Sequence, residues 1–143
     1  MREIKFRAWD YKYKYMNHRV LIGNMSDDDN YCAHSAWVEP DKVDYDCEPH
    51  WANFDETGMD VMQYTGAKDL NNTEIYEDDI IVWAEETNHG ISLFKAVVVW
   101  SEDSLEYIAL NELGWSMCLY EIIEKNGYIV GNVHENSELL KTQ

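Results

Sequence analysis

Residues 79–100, DIIVWAEETNHGISLFKAVVVW, decide the fold class of this chain. Two apolar runs, Ile80–Ala84 and Leu93–Trp100, are rich in Ile, Val, Trp and Phe, which are enriched in strands. The polar segment Asn88-His89-Gly90 separates them, and short segments of this kind connect the strands of a hairpin. The pattern predicts two consecutive β-strands joined by a tight turn.

Further strands are predicted towards the C-terminus, at Glu106–Leu110, Met117–Ile123 and Tyr128–Val133. The dipeptide Asn126-Gly127 is a strong signal for a two-residue hairpin turn between the last two. Met117–Glu124 would also make a good helix, so this segment stays open between the two structures. Asn136 or Ser137 can cap a short terminal helix through Leu139-Leu140.

Towards the N-terminus, apolar and charged residues alternate from Ile4 to Trp9, which predicts a strand. A turn at Asp10–Lys12 and a return strand from Tyr15 to Ile22 complete a basic hairpin over residues 1–23. Residues 24–60 contain both prolines and lose the pattern, so we expect an irregular acidic segment with a short strand at Ala36–Val38.

The predicted architecture is a single mostly-β domain. It has the N-terminal hairpin, the irregular segment, and a small SH3-like barrel or meander over residues 61–143 that ends in a short helix. A chain of 143 residues is of the size that forms one compact domain. With 45% apolar residues it is too apolar for a disordered acidic tail.

The charge of the chain is strongly asymmetric. The total is −17, yet residues 1–22 hold six basic and two acidic side chains, a net charge of +4 that leaves −21 for the remainder. Such an acidic body repels nucleic acid. Any nucleic-acid contact would have to use the basic N-terminal segment, and the partner is otherwise a basic protein surface, a cation or nothing.

The N-terminus lacks the continuous apolar stretch of a secretory signal, and no run approaches the roughly 20 apolar residues of a membrane span. We expect a cytoplasmic protein without a membrane partner. Its three cysteines, an odd number, are then expected to be reduced thiols.

The basic hairpin is one candidate binding site. Arg7, Trp9, Lys12 and Lys14 combine cations with an aromatic ring, a combination that suits single-stranded nucleic acid. Alternatively, the lysines keep a strand edge soluble while the aromatic rings pack. The lysines and arginines can equally pair with the acidic remainder of the same chain or of a neighbouring subunit. We expect a homo-oligomer with Arg7, Lys12 and Lys14 near its interface.

A second candidate is a zinc site formed by Cys32, His34, Cys47 and His50, since thiolates and imidazoles are the ligands of tetrahedral zinc. The alternative is an ordinary polar loop with two spare cysteines. No nucleophile motif or glycine-rich phosphate loop is present. We predict no cofactor, and catalytic activity has no support in the sequence.

Three segments resemble the YopX-like family of phage and prophage proteins. They are Arg2–Asp10, Val61–Gly66 with the following residues to Ile80, and Gly131-Asn132-Val133-His134-Glu135-Asn136 with Glu138-Leu139. Asn72 and Asp78 stand where that family usually has glycine, and Ser137 where it often has proline. Asp78 would cost about 1 kcal/mol if its position requires a positive φ.

The resemblance implies a phage-borne or prophage-borne accessory protein that acts in the host cytoplasm, and it implies no catalytic residues. We expect Asp79 to cap backbone amides at the turn before a strand, and Gly66 and Gly131 to serve turns or close backbone approach. The leading functional expectation is non-catalytic binding of a host or phage protein. Single-strand binding by the hairpin and a metal-dependent enzyme are the alternatives.

Overall fold

The computed structural model describes residues 2–27, 30–38, 50–53 and 59–141, and for residues 21, 23–27, 30–38 and 50–53 the description is limited to the backbone. Within these residues lie twelve strands and two short helices, so the mostly-β prediction is confirmed. The chain divides into two compact units, one of Ile4–Gln63 and one of Tyr64–Gln143 with Met1–Glu3.

The unit of residues 4–63 contains two antiparallel arrangements. Its strands are β1 (Phe6–Asp10), β2 (Tyr15–Asn17), β3 (Val20–Asp27), β4 (Asn30–Val38), β5 (His50–Asn53) and the first half of β6 (Met59–Lys68). Strand β1 pairs with β2, which forms the first part of the predicted N-terminal hairpin, and on its other side with β6. The return strand predicted from Tyr15 to Ile22 is divided, because Val20–Ile22 belong to β3, which pairs with β4. Strands β3, β4 and β5 form a separate three-stranded sheet.

The segment that the sequence predicts to be irregular contains regular strands. Strand β4 extends well beyond the expected short strand at residues 36–38, and it pairs with β3 on one side and β5 on the other. Its sequence, NYCAHSAWV, lacks clean alternation. Strand formation depends on pairing with neighbours as much as on local pattern, so long-range partners can recruit such a segment into a sheet.

The unit of residues 64–143 is built on a curled five-stranded antiparallel sheet in the order β11-β10-β9-β8-β12. Its elements are β7 (Glu74–Tyr76), β8 (Asp79–Thr87), β9 (Gly90–Ser101), β10 (Glu106–Leu110), β11 (Ser116–Cys118), α1 (Leu119–Glu124), β12 (Tyr128–Asn132) and α2 (Glu138–Lys141). The predicted β8–β9 hairpin forms, with Thr87 opposite Gly90 across the turn. Gly90 has a φ of +101°, a conformation that glycine adopts without steric cost.

The core of this unit lies on one face of the sheet, which we call the inner face. Its fully buried members include Ile81 and Trp83 of β8, Ala96 and Val98 of β9, and Ala109 of β10. Helix α1 covers them with Leu119 and Ile122. Burial of each large apolar side chain stabilises the fold by roughly 1.5–3 kcal/mol, so this face accounts for much of the stability of the unit.

The strand predicted at 117–123 is mostly a helix. Strand β11 ends at Cys118, and α1 begins at the next residue. The Gly127 amide donates to the Ile122 carbonyl at 2.9 Å, and Asn126 takes the left-handed φ of +58°. Asn-Gly therefore ends a helix instead of turning a hairpin, since both structures need a residue with positive φ at this place. Strand β12 pairs with β8, not with the preceding segment.

The predicted C-terminal helix is confirmed as α2, where the Leu139 amide donates to the Asn136 carbonyl at 2.9 Å. Neither helix in the described part of the chain is long and apolar enough to cross a membrane.

Candidate functional site

Asp79 forms the predicted cap at the start of β8. Its Oδ2 accepts the Tyr76 amide at 2.8 Å, and the residue is buried. The preceding residue, Asp78, has a φ of +67°, so the position does require the left-handed conformation. Asp78 Oδ2 also lies 3.0 Å from His134 Nε2, which ties this turn to the segment after β12. These contacts give the acidic group at 78–79 a structural role.

Asp69 organises the turn between β6 and β7. One carboxylate oxygen accepts the amides of Asn71 at 2.9 Å and Thr73 at 2.8 Å, and the other accepts the Ile129 amide at 2.8 Å. Hydrogen bonds to a charged group are among the stronger ones in proteins. The buried carboxylate thus fixes the turn and joins it to β12.

Asn132 has the same role after β12. Its Oδ1 accepts the amides of His134 at 3.0 Å and Glu135 at 2.9 Å, and its own amide donates to Asn136 Oδ1 at 3.2 Å. A Cβ at Gly131 would lie 2.3 Å from Asn136 Oδ1, which confirms the predicted close approach. Gly66 lies inside β6, where the pairing with β7 shifts register, and its φ of +89° marks an irregularity of the strand instead of a turn. The polar residues of the resembling segments thus act on backbone geometry.

The four candidate residues of the basic hairpin are not equivalent in the structure. Arg7 and Trp9 are buried, with 6% and 8% of their surface exposed, whereas Lys12 and Lys14 are exposed in the turn after β1. Asp10 shapes that turn, because its Oδ1 accepts the Lys12 amide at 2.8 Å. Exposed aromatic rings near the lysines therefore come from other residues, namely Tyr11 at 51% and Tyr13 at 40% exposure.

The zinc candidate stays a prediction. Cys32 and His34 lie on β4 and His50 on β5, where only the backbone is described, and Cys47 lies outside the described residues. Among the side chains that the structure describes, no three His, Cys, Asp or Glu residues are grouped closely enough to hold a metal ion.

The face of the sheet opposite the core, the outer face, carries exposed apolar side chains. Side chains alternate along a strand, so Ile91, Leu93, Val97 and Val99 of β9 point away from the core residues Ala96 and Val98. Ile91 is 79% exposed and Leu93 74% exposed. Val97 and Val99 are only partly exposed, and Lys95 lies between them and Leu93 on the same face. Exposed apolar patches mark interaction sites more often than isolated apolar residues do.

Two concavities on this face share Val99 and Leu110, and together we call them the outer trough. The first has a volume of about 400 Å³ and is bounded by Leu110, Leu113 and, from α2, Leu140. We call it the apolar end. Leu113 is 92% exposed, so the trough has a large apolar side chain at its rim.

The second concavity has a volume of about 770 Å³ and forms the acidic end of the trough. Glu102, Asp103 and Glu106 line it, in and after the turn between β9 and β10. Its floor continues across the sheet, because Val99 lies opposite Ile108, and Ile108 opposite Cys118. The trough therefore changes from apolar to anionic along its length.

An aromatic cluster lies on the inner side of the same hairpin. Trp83 stacks on Phe94 with ring centroids 5.7 Å apart and on the half-exposed Trp115 at 5.9 Å. The Trp83 indole N–H donates to Glu85 at 3.0 Å. This bond, and then the nearby Lys125 ammonium, hold the pKa of Glu85 below its ordinary value. The cluster packs on the hairpin that carries Ile91 and Leu93.

Sequence patterning did not single out the outer trough. Leu93–Trp100 is apolar at nearly every position, which indicates a strand covered on both faces. Only the tertiary structure shows that one face stays open. The available signal was Ile91, Leu93, Val97 and Val99 at alternate positions, with acidic residues in the turn that follows.

Comparison with known proteins gives a family and a fold. The model of a family described as YopX protein matches residues 5–141. A crystal structure of protein EF1440 from Enterococcus faecalis is similar, with 26% sequence identity and a TM-score of 0.64. The similarity covers 98% of this chain and 99% of that one. No curated protein matches.

Proposed function

The chain belongs to the YopX family, and we propose that it is a phage or prophage accessory protein that binds a basic host or phage protein without catalysing a reaction. The observation that carries this proposal is the exposed apolar outer face within an acidic chain. Apolar contact supplies most of the affinity at protein interfaces, and charge around it selects the partner and speeds association.

The net charge of the chain determines the sign of the charge that its partner must carry. At −17 in total and −21 outside residues 1–22, the protein attracts cationic surfaces and repels anionic ones. A basic protein can pack apolar side chains on the apolar part of the outer face and place its cations against the anionic part. Binding in the host cytoplasm follows from the same proposal.

Single-strand binding by the basic hairpin is the alternative. Trp9 is buried and has little ring surface for a base, but the exposed rings of Tyr11 and Tyr13 flank Lys12. Lys12 Nζ already lies 5.0 Å from the Tyr13 ring. A base stacked there would have to share that ring with the lysine.

Affinity capture from a bacterial host lysate, with and without nuclease, tests the proposal. We expect to capture a protein that stays bound after nuclease treatment and elutes as salt is raised. The two proteins should bind each other again after each has been purified. Elution with salt follows from the charge, since screening weakens attraction between exposed charges. Capture that nuclease abolishes would favour the hairpin alternative, and failure of the purified pair to rebind would contradict the proposed function.

A further inference from the structure

The two ends of the outer trough differ in chemistry, and this difference indicates what kind of molecule can bind there. Its apolar end is bounded by Leu110, Leu113 and Leu140, and its acidic end by Glu102, Asp103 and Glu106. The two ends are joined through Val99 and Leu110, which line both concavities. An occupant that fits both ends must therefore be apolar in one part and cationic in another.

The dimensions of the trough suit a short segment of polypeptide. From Lys95 to Ser101, strand β9 advances six residues, or roughly 20 Å at about 3.3 Å per residue. The apolar end, at about 400 Å³, falls within the roughly 300–1,000 Å³ range of ligand pockets. It is large enough to take apolar side chains of a bound segment.

The charge of the lining is nearly all of one sign. Among the described residues that line the two concavities, Lys95 is the single cation, and its Nζ donates to the Leu139 carbonyl. Glu112 adds a further carboxylate at the apolar end. A second copy with the same face would offer only Lys95 as a cation to Glu102, Asp103 and Glu106, so charge complementarity does not favour a symmetric dimer here.

We propose that the outer trough binds a basic amphipathic segment of the partner protein. Apolar side chains of that segment occupy the apolar end, and its Lys or Arg side chains lie against Glu102, Asp103 and Glu106. This inference rests on the proposed function. It adds which surface of this chain binds, how long the bound segment is, and that its apolar and cationic residues lie at opposite ends.

Titration of the ¹⁵N-labelled full chain with synthetic peptides tests the proposal. The probe is a six-residue peptide of three leucines followed by three lysines, and the comparison peptides replace the leucines with serine or the lysines with glutamate. We expect amide shifts concentrated in residues 95–118 and at Leu140 with the first peptide. Either replacement should weaken binding at least fivefold, because each removes the groups that match one end of the trough.

Exposed variants map the two ends without disturbing the core. Leu113→Asp should weaken binding of the leucine–lysine peptide at least fivefold, and Leu70→Asp, at a leucine that is 60% exposed outside the trough, should not. Asp103→Lys should weaken it at least threefold at low salt, whereas Glu121→Lys on α1 should have less effect. Both acidic residues are exposed, and the spectrum of each variant reports whether it is folded.

Several results would overturn the proposal. They are shifts mapping outside residues 95–118 and Leu140, equal binding of the glutamate peptide, and the same effect on peptide binding from Leu113→Asp and Leu70→Asp. Shifts in the trough that depend on protein concentration without peptide would assign it to a second copy and also reject the proposal. If a purified partner binds but leaves the trough amides unchanged, this inference fails while the proposed function stands.

Discussion

At the scale of single residues, side-chain acceptors position the backbone of the C-terminal unit. Asp69 accepts three amides, Asp79 caps the turn before β8, and Asn132 accepts two amides after β12. Each of these groups lies at a turn that begins or ends a strand of the unit. The polar residues of the family segments therefore act mainly on the scaffold that supports the outer face.

Asp69→Asn tests this role. We expect the variant to lower the free energy of unfolding by about 1–3 kcal/mol, because an amide nitrogen replaces one oxygen and leaves a backbone N–H without its acceptor. Urea denaturation at neutral pH measures the change. Asp103→Asn, at an exposed carboxylate, is the control and should change the value by less than about 0.5 kcal/mol. Equal changes in the free energy of unfolding for Asp69→Asn and Asp103→Asn would contradict the role of Asp69.

Glu85 should make stability depend on pH. Its pKa is lowered in the folded state by the Trp83 indole N–H and by Lys125. The stabilisation is therefore present above the ordinary pKa of 4.5 and is lost as the pH falls through the lower, folded-state value. We expect the difference in urea midpoint between the wild type and Glu85→Gln to shrink from pH 7 to pH 3.

Lys125→Gln separates the two causes of that pKa shift. The indole bond is the largest single cause, so this variant should keep part of the pH dependence of the wild type. A Lys125→Gln protein that behaves like Glu85→Gln would show that the ion pair, with Nζ 3.2 Å from Glu85 Oε1, dominates instead.

At the scale of elements, the strands with clear apolar patterns could be predicted, and those that depend on distant partners could not. The β8–β9 hairpin, β10 and α2 follow from local sequence. Strand β4 does not, because strands on both sides stabilise it. Local sequence left α1 open between strand and helix, and packing of Leu119 and Ile122 on the inner face favours the helix. The outer trough was missed for a related reason, since cross-strand register brings Val99, Ile108 and Cys118 together.

Gly127 should be essential to the end of α1. A Cβ at this position would lie 2.5 Å from Ile122 Cγ2 and 2.9 Å from the Ile122 carbonyl oxygen. We expect Gly127→Ala to lower the free energy of unfolding by about 1–3 kcal/mol, as overpacking of a tight site does. Asn126→Gly is the control, because glycine accepts the φ of +58° at that position, and thermal unfolding should show it at least as stable as the wild type.

At the scale of the whole molecule, the asymmetric charge leads us to propose self-association through the basic hairpin. Lys12 and Lys14 are exposed, and rim ion pairs are individually weak, so exposed rings such as Tyr11 and Tyr13 would supply much of the affinity. Light scattering should give a mass above the 16.8 kDa of one chain.

Charge reversal of Lys12 and Lys14 to glutamate should lower that mass or make it more sensitive to salt. Arg7 was predicted near the same interface, but its burial makes it unsuitable for this test, because charge reversal there would disturb the fold itself. A wild-type protein of 16.8 kDa at tens of micromolar would reject self-association and leave the hairpin available to other partners.

Photo-crosslinking in host lysate tests most directly whether the outer face binds a protein. Benzoylphenylalanine is placed at position 113, on the rim of the trough, and in a matched protein at position 70, where the leucine is also exposed. We predict that ultraviolet light gives a discrete adduct with one basic protein from position 113 and not from position 70. No adduct from position 113, or the same adducts from both positions, would contradict binding through this face.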